Sequence, residues 1–444
     1  MILNESESKK ILSKVKEYSK ADSFETALYG FNNSNLRFAL NSISTDGFSD
    51  GLNLRITSSF GKKSGSVSIN KIDNDSIKKA VGESEAIAKL SPDNQEFMPP
   101  LEEQKYSEAK NYSKSTENLD FSSRASLISK FFEETANQPI NSSGYWEDES
   151  SFYSILNSNG LSAYNKSTLA SFSATIRTLE GNGSSRVQNQ YIDYNRFDIS
   201  ALSRKVLKKS LDSVNPKELP PGRYTVILEP AASADLIANL IRFMDARDAD
   251  EGRSYFSKSE GGNRVGEKLV NEKVNIYSDP YDEKCPSLPF TSDGYPRSKT
   301  VWFENGVLKN LSRSRYWAEK TKQDIVPGHS NILMDGTQKT IDDLIATTEK
   351  GILVTRFWYI RTVDPQTILL TGLTRDGLFE IRDGKIANPI KNFRFNESPV
   401  NMLNNVVEIG KQENGVGSET DTLQIFVPSL KVNEFNFSSL SDAI

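Results

Sequence analysis

The sequence predicts an α+β fold: mixed, mostly antiparallel sheets with helices, an N-terminal α/β region and a strand-rich C-terminal domain. Three observations carry that expectation. Strand-length apolar runs recur between Asn, Asp, Gly and Ser clusters that suit turns. In Leu52-Asn53-Leu54-Arg55-Ile56-Thr57 apolar and polar residues alternate strictly, as in a sheet wet on one face. Helical periodicity is confined to short, separated segments. At 444 residues the chain exceeds what one core supports. Its breaks suggest an N-terminal α+β domain at 1–105, a middle α+β domain at 106–218 and a C-terminal domain at 219–444.

The elements follow in order. Ile11, Val15 and Tyr18 recur at helical spacing, predicting a helix over 5–19. Four strands are expected at 25–31, 36–43, 52–59 and 65–72, separated by turns at Asn33-Ser34, Asp46-Gly47 and Gly61-Lys62-Lys63. Asp75 caps a helix carrying Ile77, Ala80, Val81, Ile87 and Ala88, which ends before Pro92. Residues 91–118, rich in Pro, Glu, Lys, Ser and Asn, read as a surface connector. A helix over 124–136 precedes strands at 152–157, 161–166, 168–179 and 188–194, with Asn159-Gly160 as a hairpin turn. A helix over 199–211 closes this block. Both blocks run helix, strands, helix, which suggests a duplication. Pro220-Pro221 then breaks the chain. Beyond it come hairpins around Glu304-Asn305-Gly306 and Arg382-Asp383-Gly384, and one helix over 340–350 that starts at Thr340.

Composition restricts function. Lys plus Arg total 54 against 59 Asp plus Glu, a net charge of -5, and no basic block is interleaved with aromatics. Nucleic-acid binding is therefore not expected. No apolar run reaches the roughly 20 residues that span a bilayer. The opening MILNESESKKILSKVKEY lacks an apolar core, so neither membrane nor secretion is expected and the cytoplasm is the expected location. His329 is the only histidine and Cys285 the only cysteine. A zinc site or a Ser-His-Asp or Cys-His arrangement would have to depend on them, and the expectation is no metal and no cofactor.

From residue 220 the segment PPGRYTVILEPAASADLIANLIRFMDARDADEG reads as a strand, a turn at Glu229-Pro230 and an amphipathic helix. Asp293-Gly294-Tyr295-Pro296, Phe303-Glu304-Asn305-Gly306-Val307-Leu308, Lys350-Gly351-Ile352-Leu353-Val354, Asp383-Gly384-Lys385-Ile386 and Asn414-Gly415-Val416-Gly417 follow, before a closing Val427-Pro428-Ser429-Leu430-Lys431-Val432. In this order, from Pro220 to Val432, the chain resembles the TldD/PmbA family, whose members were historically labelled modulators of DNA gyrase. The N-terminal half resembles the family in its pattern of elements and in Asn157-Ser158-Asn159-Gly160. The resemblance implies a TldD/PmbA-like fold and, in the catalytic TldD branch, a zinc-binding HExxxH motif on the helix after the first strand. Matched on that strand and the turn proline, the motif's first His, Glu and second His fall on Ala238, Asn239 and Phe243. Ser418 and Glu419 stand where that branch has a cysteine ligand, and Cys285 is no substitute by position.

This pattern is similar to the family's PmbA (TldE) branch. It implies a non-catalytic, metallopeptidase-related pseudoenzyme. Such a chain is the partner subunit of a TldD-type zinc peptidase, or a homodimer, handling peptides or unfolded proteins. The alternative is a stand-alone homodimeric peptide-binding protein without peptidase activity. A relict peptide cleft is a further candidate, formed by Arg242, Asp245 and Arg247 beside Ala238 on a helix over 238–247; a buried apolar face with a solvated charged edge is the plainer account. The acidic run Asp245, Asp248, Asp250 and Glu251 lacks the spacing of a calcium loop. Trp146-Glu147-Asp148-Glu149 reads as an exposed acidic turn. Phe357-Trp358-Tyr359 reads as sheet-to-sheet core, with a groove wall as the alternative.

Overall fold

A computed structural model describes residues 2–418, 420 and 423–441 of the chain. The strands among these residues form two sheets. The first is built from α1 (Glu5–Tyr18), β1 (Ser23–Ala39), β2 (Ser42–Phe60), β3 (Lys63–Ile69) and α2 (Asn74–Leu90). It continues with α3 (Lys114–Glu117), α4 (Phe121–Thr135), β4 (Ile140–Asn157), β5 (Ser162–Thr178), β6 (Ser184–Tyr191) and α5 (Ile199–Asp212). The strands lie in the order β3-β2-β1-β4-β5-β6, each antiparallel to its neighbours. Helix, three-strand meander, helix thus occurs twice, and the two halves join where β1 pairs with β4. Leu12, Val15, Ile77 and Val81 of α1 and α2 pack on Leu28, Leu54 and Ile56. Ile128, Phe131 and Val206 of α4 and α5 pack on Phe38, Trp146 and Phe172.

Three strands, two of them long, replace the four expected near the N-terminus. Asn33 pairs with Ser49 and Asn35 with Gly47 inside the β1–β2 ladder, and the chain reverses at Leu40-Asn41, where both residues have positive φ. Polar residues there occupy sheet positions open to solvent, so turn chemistry misleads. Asp73, not Asp75, caps α2, accepting the Ser76 N–H. Trp146-Glu147-Asp148-Glu149 is not a turn but the middle of β4, paired with both β1 and β5. Trp146 is fully buried, and Asp148 holds Arg124 through two charge-assisted bonds of 2.6 and 2.7 Å. The 91–118 connector lacks regular structure up to α3, but it is strapped down. Leu101 and Pro100 carbonyls accept from Asn157 and Asn159, and Tyr106 donates to the Gly294 carbonyl.

The second sheet follows from residue 222. Its parts are β7 (Gly222–Leu228), α6 (Pro230–Arg242), α7 (Ala246–Asp250), β8 (Ile276–Ser278), β9 (Thr300–Glu304), β10 (Val307–Leu308), α8 (Arg315–Thr321), β11 (Asn331–Met334) and α9 (Ile341–Ala346). Then come β12 (Lys350–Asp364), β13 (Leu369–Arg382), β14 (Lys385–Pro389), β15 (Phe393–Glu397), α10 (Pro399–Asn404), β16 (Val406–Asn414) and β17 (Gln424–Leu440). The order is β10-β9-β8-β11-β17-β15-β13-β12-β7, and β17 also pairs with β7, so five strands close into a ring. Only the β7–β12 and β11–β17 pairs are parallel among the described strands. Phe357, Phe393, Phe395, Phe435 and Phe437 from three of these strands meet at 4.6–5.8 Å between ring centroids.

The mostly antiparallel α+β architecture is as the sequence predicts. Two details differ. The helix expected over 340–350 stops at Ala346, because Lys350 onward enters β12, where Ile352 and Val354 pair with Val226 and Leu228. The Phe357-Trp358-Tyr359 run is divided: Phe357 is in the core, while Trp358 and Tyr359 face solvent beneath Arg375 and Arg361, each 4.2 Å from its ring. Strand alternation puts Phe357 and Trp358 on opposite faces, and the register then shifts between Trp358 and Arg361.

Candidate functional site

Helix α6 is where local sequence and tertiary position converge. Strand β7 leads into it through Glu229, and Pro230 occupies the first helical position, where its missing N–H costs nothing. From Ala232 to Ile241 every residue is buried. The apolar side chains join the main core with β12 and β17 residues such as Val354 and Leu430. The helix ends at Arg242 and Phe243 caps it.

Of the positions matched to the metal motif, Ala238 and Asn239 lie on this helix and Phe243 at its C-terminal cap. Ala238 is fully buried, Asn239 donates its side-chain amide to the Asp235 carbonyl at 2.7 Å, and Phe243 is half-buried against the core. Alanine and phenylalanine carry no lone pair for zinc, and a neutral amide cannot take a proton from metal-bound water. Among the described residues no three of His, Cys, Asp and Glu gather as a metal-holding group. The residues present do not fit a zinc ion. Ser418, at the place of the family's cysteine, instead donates its N–H to Asp235 on α6 at 3.1 Å. Glu419 lies outside the described residues.

Arg242, Asp245 and Arg247 do not share one helix. The chain breaks after Arg242, and Asp245 caps α7 by accepting the Asp248 N–H at 3.0 Å. Arg247 is held by Glu96 of the connector at 2.8 and 3.0 Å and by Glu251 at 3.2 Å. Asp248 pairs with Arg253, and Asp250 accepts from Trp317 and Asn263. The acidic run is thus engaged in capping and ion pairs. Arg242 is exposed, and its charge is felt at His329.

His329 and Cys285 are placed by different cores. Cys285 is fully buried against Leu333 and Phe426, and burial together with Asp282 pushes its thiol well above the usual range. It is a packed apolar side chain rather than a thiolate. Burial lowers the His329 pKa, and the Arg297 and Arg242 charges lower it further. At neutral pH His329 is therefore uncharged.

Arg297 and its surroundings had no local sequence signal. Residues 286–297 cross the outer face of the first sheet and enclose a cavity of about 550 Å³ with it. Asn111 and Arg297 contribute to the wall, as do Glu149 and Tyr153 from β4. Tyr29 donates to Glu149 at 3.1 Å, and burial plus that carboxylate push its hydroxyl up to about 12. The cavity lies between the first sheet and the 286–297 loop, and its volume is within the range of about 300–1,000 Å³ typical of ligand sites.

Residues 221–439 match the PmbA/TldA metallopeptidase C-terminal domain family. A metalloprotease of Methanothermobacter thermautotrophicus is 28% identical over 242 residues, covering 50% of this chain and 49% of that protein. A metalloprotease TldD homolog of Buchnera aphidicola is 23% identical over 250 residues, covering 52% and 50%. The chain thus spans about half the length of the curated relatives it matches. The crystal structure of TldE from Thermococcus kodakarensis superimposes with a TM-score of 0.87 at 17% identity, covering 97% of this chain and 99% of that one. The likeness of fold therefore extends over both sheets, while the sequence likeness concentrates in the second. With the closed ring, the β7–α6 unit and this match together, the chain belongs to the TldD/PmbA family.

Proposed function

We propose that this chain is a zinc-free member of the PmbA (TldE) type, acting in the cytoplasm as the partner subunit of a TldD-type zinc metallopeptidase in peptide processing or protein degradation. The observation that carries this reading is α6 itself. The helix is buried from Ala232 to Ile241, yet it and its cap carry Ala238, Asn239 and Phe243 where a metal-binding relative needs two imidazoles and a carboxylate. The catalytic subunit supplies the metal and the base, and this chain supplies structure and part of the peptide-binding surface. The whole-chain likeness to a TldE fold supports the reading. No helix among the described residues is long and apolar enough to cross a membrane, which is compatible with the location.

Co-expression with the TldD-type chain of the same organism, followed by native mass spectrometry, tests it. A complex containing both chains, with peptidase activity that needs both, is expected. A homodimer that ignores the TldD-type chain but still binds peptides would favour the stand-alone peptide-binding alternative.

A further inference from the structure

Arg297 is a cation with no ion pair among the described residues, Asp293 acting on it only at longer range. Its Nη1 donates to the Phe290 carbonyl at 3.0 Å and the Leu288 carbonyl at 3.5 Å, and among the described residues no carboxylate lies within ion-pairing distance. Its Nε is buried with no hydrogen-bond partner. Burial depresses the guanidinium pKa, and the Asp293 charge only partly offsets this. A desolvated guanidinium left this way is costly, and a carboxylate is a ligand group that removes the cost through a charge-assisted N–H bond. Asn111 lines the same cavity. It is 3% exposed, and its Oδ1 is buried and also unpartnered, an acceptor awaiting an N–H.

The rest of the wall narrows the ligand. Ser151, Ser167, Ser287 and Tyr153 are neutral hydrogen-bonding groups, and Glu149 is the cavity's carboxylate. A dianion such as phosphate would meet one guanidinium and repulsion from Glu149 and the nearby Asp293. A monoanion with amide N–H groups and a cationic far end offers a complementary group to each of Arg297, Asn111 and Glu149.

We propose that this cavity is a subsite for the C-terminal carboxylate of a short peptide, with Arg297 holding the carboxylate and Asn111 accepting a peptide N–H. The inference rests on the reading that this chain handles peptides, and it adds which end of the peptide is held. Arg297 here is a binding residue, far in sequence from α6 and brought to the cavity by the 286–297 loop.

Isothermal titration calorimetry on the full chain tests this with three probes: Gly-Leu-Ala as the free acid, its C-terminal amide, and Gly-Asp-Ala amide. The free acid is expected to bind, with the amide weaker by about tenfold or more, because a charge-assisted contact is lost. The Asp-containing amide separates a terminal carboxylate from a side-chain one and is expected to bind no better than the plain amide. Arg297→Gln is expected to abolish the preference for the acid, and Arg297→Lys, which keeps the charge, to retain part of it. Equal binding of acid and amide by the unmodified chain overturns the proposal, as does the absence of binding by any of the three. The readout is separate from the subunit reading. A TldD-type complex without acid preference sinks this inference alone, whereas acid preference in a chain that forms no complex sinks the subunit role alone.

Discussion

Asp235, buried within α6, accepts the backbone N–H of Ser418 at 3.1 Å. An added Cβ on the neighbouring Gly417 would fall 2.1 Å from Asp235 Oδ1. The carboxylate thus does two things: it anchors the 415–418 loop on the helix and it leaves room at position 417 for glycine alone. Gly417→Ala is predicted to destabilise the protein by about 1–3 kcal/mol through overpacking. In an Asp235→Ala background that penalty should shrink, giving a coupling of at least about 1 kcal/mol in a urea-unfolding double-mutant cycle. Additive effects would mean that the two residues do not constrain each other.

The Arg124–Asp148 pair supports a second prediction. Both side chains are almost fully buried, and Asp148 Oδ1 also accepts from Trp146 Nε1 at 2.8 Å. Asp148→Ala leaves an uncompensated guanidinium between α4 and β4 and is expected to cost about 3–5 kcal/mol. Replacing both partners, as Arg124→Met with Asp148→Leu, should recover most of that loss. Chemical denaturation measures both, and a single-mutant cost below about 1 kcal/mol would show that the site is hydrated rather than sealed.

A third prediction concerns pH. Glu229, the residue before α6, is buried between Lys205 and Lys209 of α5. Burial opposes its ionisation, but the two ammonium groups prevail and hold its pKa below the usual range. Burial pushes Lys209 down to about 8, against the pull of Glu229. Between pH 8 and 10.5 the unfolded chain then binds a proton at Lys209 that the folded chain has released. The contribution of Lys209 to stability should therefore rise across that window. Comparing unfolding free energies of the native chain and Lys209→Met at pH 7.5 and pH 10 reads it directly. A difference that stays flat or falls would contradict the assignment.

The β7–α6 unit, the C-terminal hairpins and the mostly antiparallel character were all legible in the sequence, because each rests on local chemistry: a proline at the first helical turn, glycines after Asp or Asn, alternating apolar residues. The length of β1 and β2 was not. Asn33, Asn35 and Gly47 look like turn residues until long-range pairing enlists them in a ladder. Trp146-Glu147-Asp148-Glu149 misled for the related reason that a buried carboxylate is recognised only by its distant Arg124. The break after Arg242 was hidden because Asp245, which begins a new cap, is also an ordinary helix-surface residue. Asn111 and Arg297 carry no motif at all; only the packing of the 286–297 loop on the first sheet sets both beside one cavity. Ala238, Asn239 and Phe243 were placed by position on the strand and proline, which the structure keeps as β7 and Pro230.

The central claim is that α6 holds no metal, and elemental analysis of the purified chain measures it most directly. Dialysed against micromolar zinc and then buffer, the chain alone should retain well under one zinc per molecule and hydrolyse no peptide, while a complex with a TldD-type subunit should carry its zinc on the other chain. About one tightly held zinc per molecule of this chain, with peptide hydrolysis in the absence of any partner, would contradict the account.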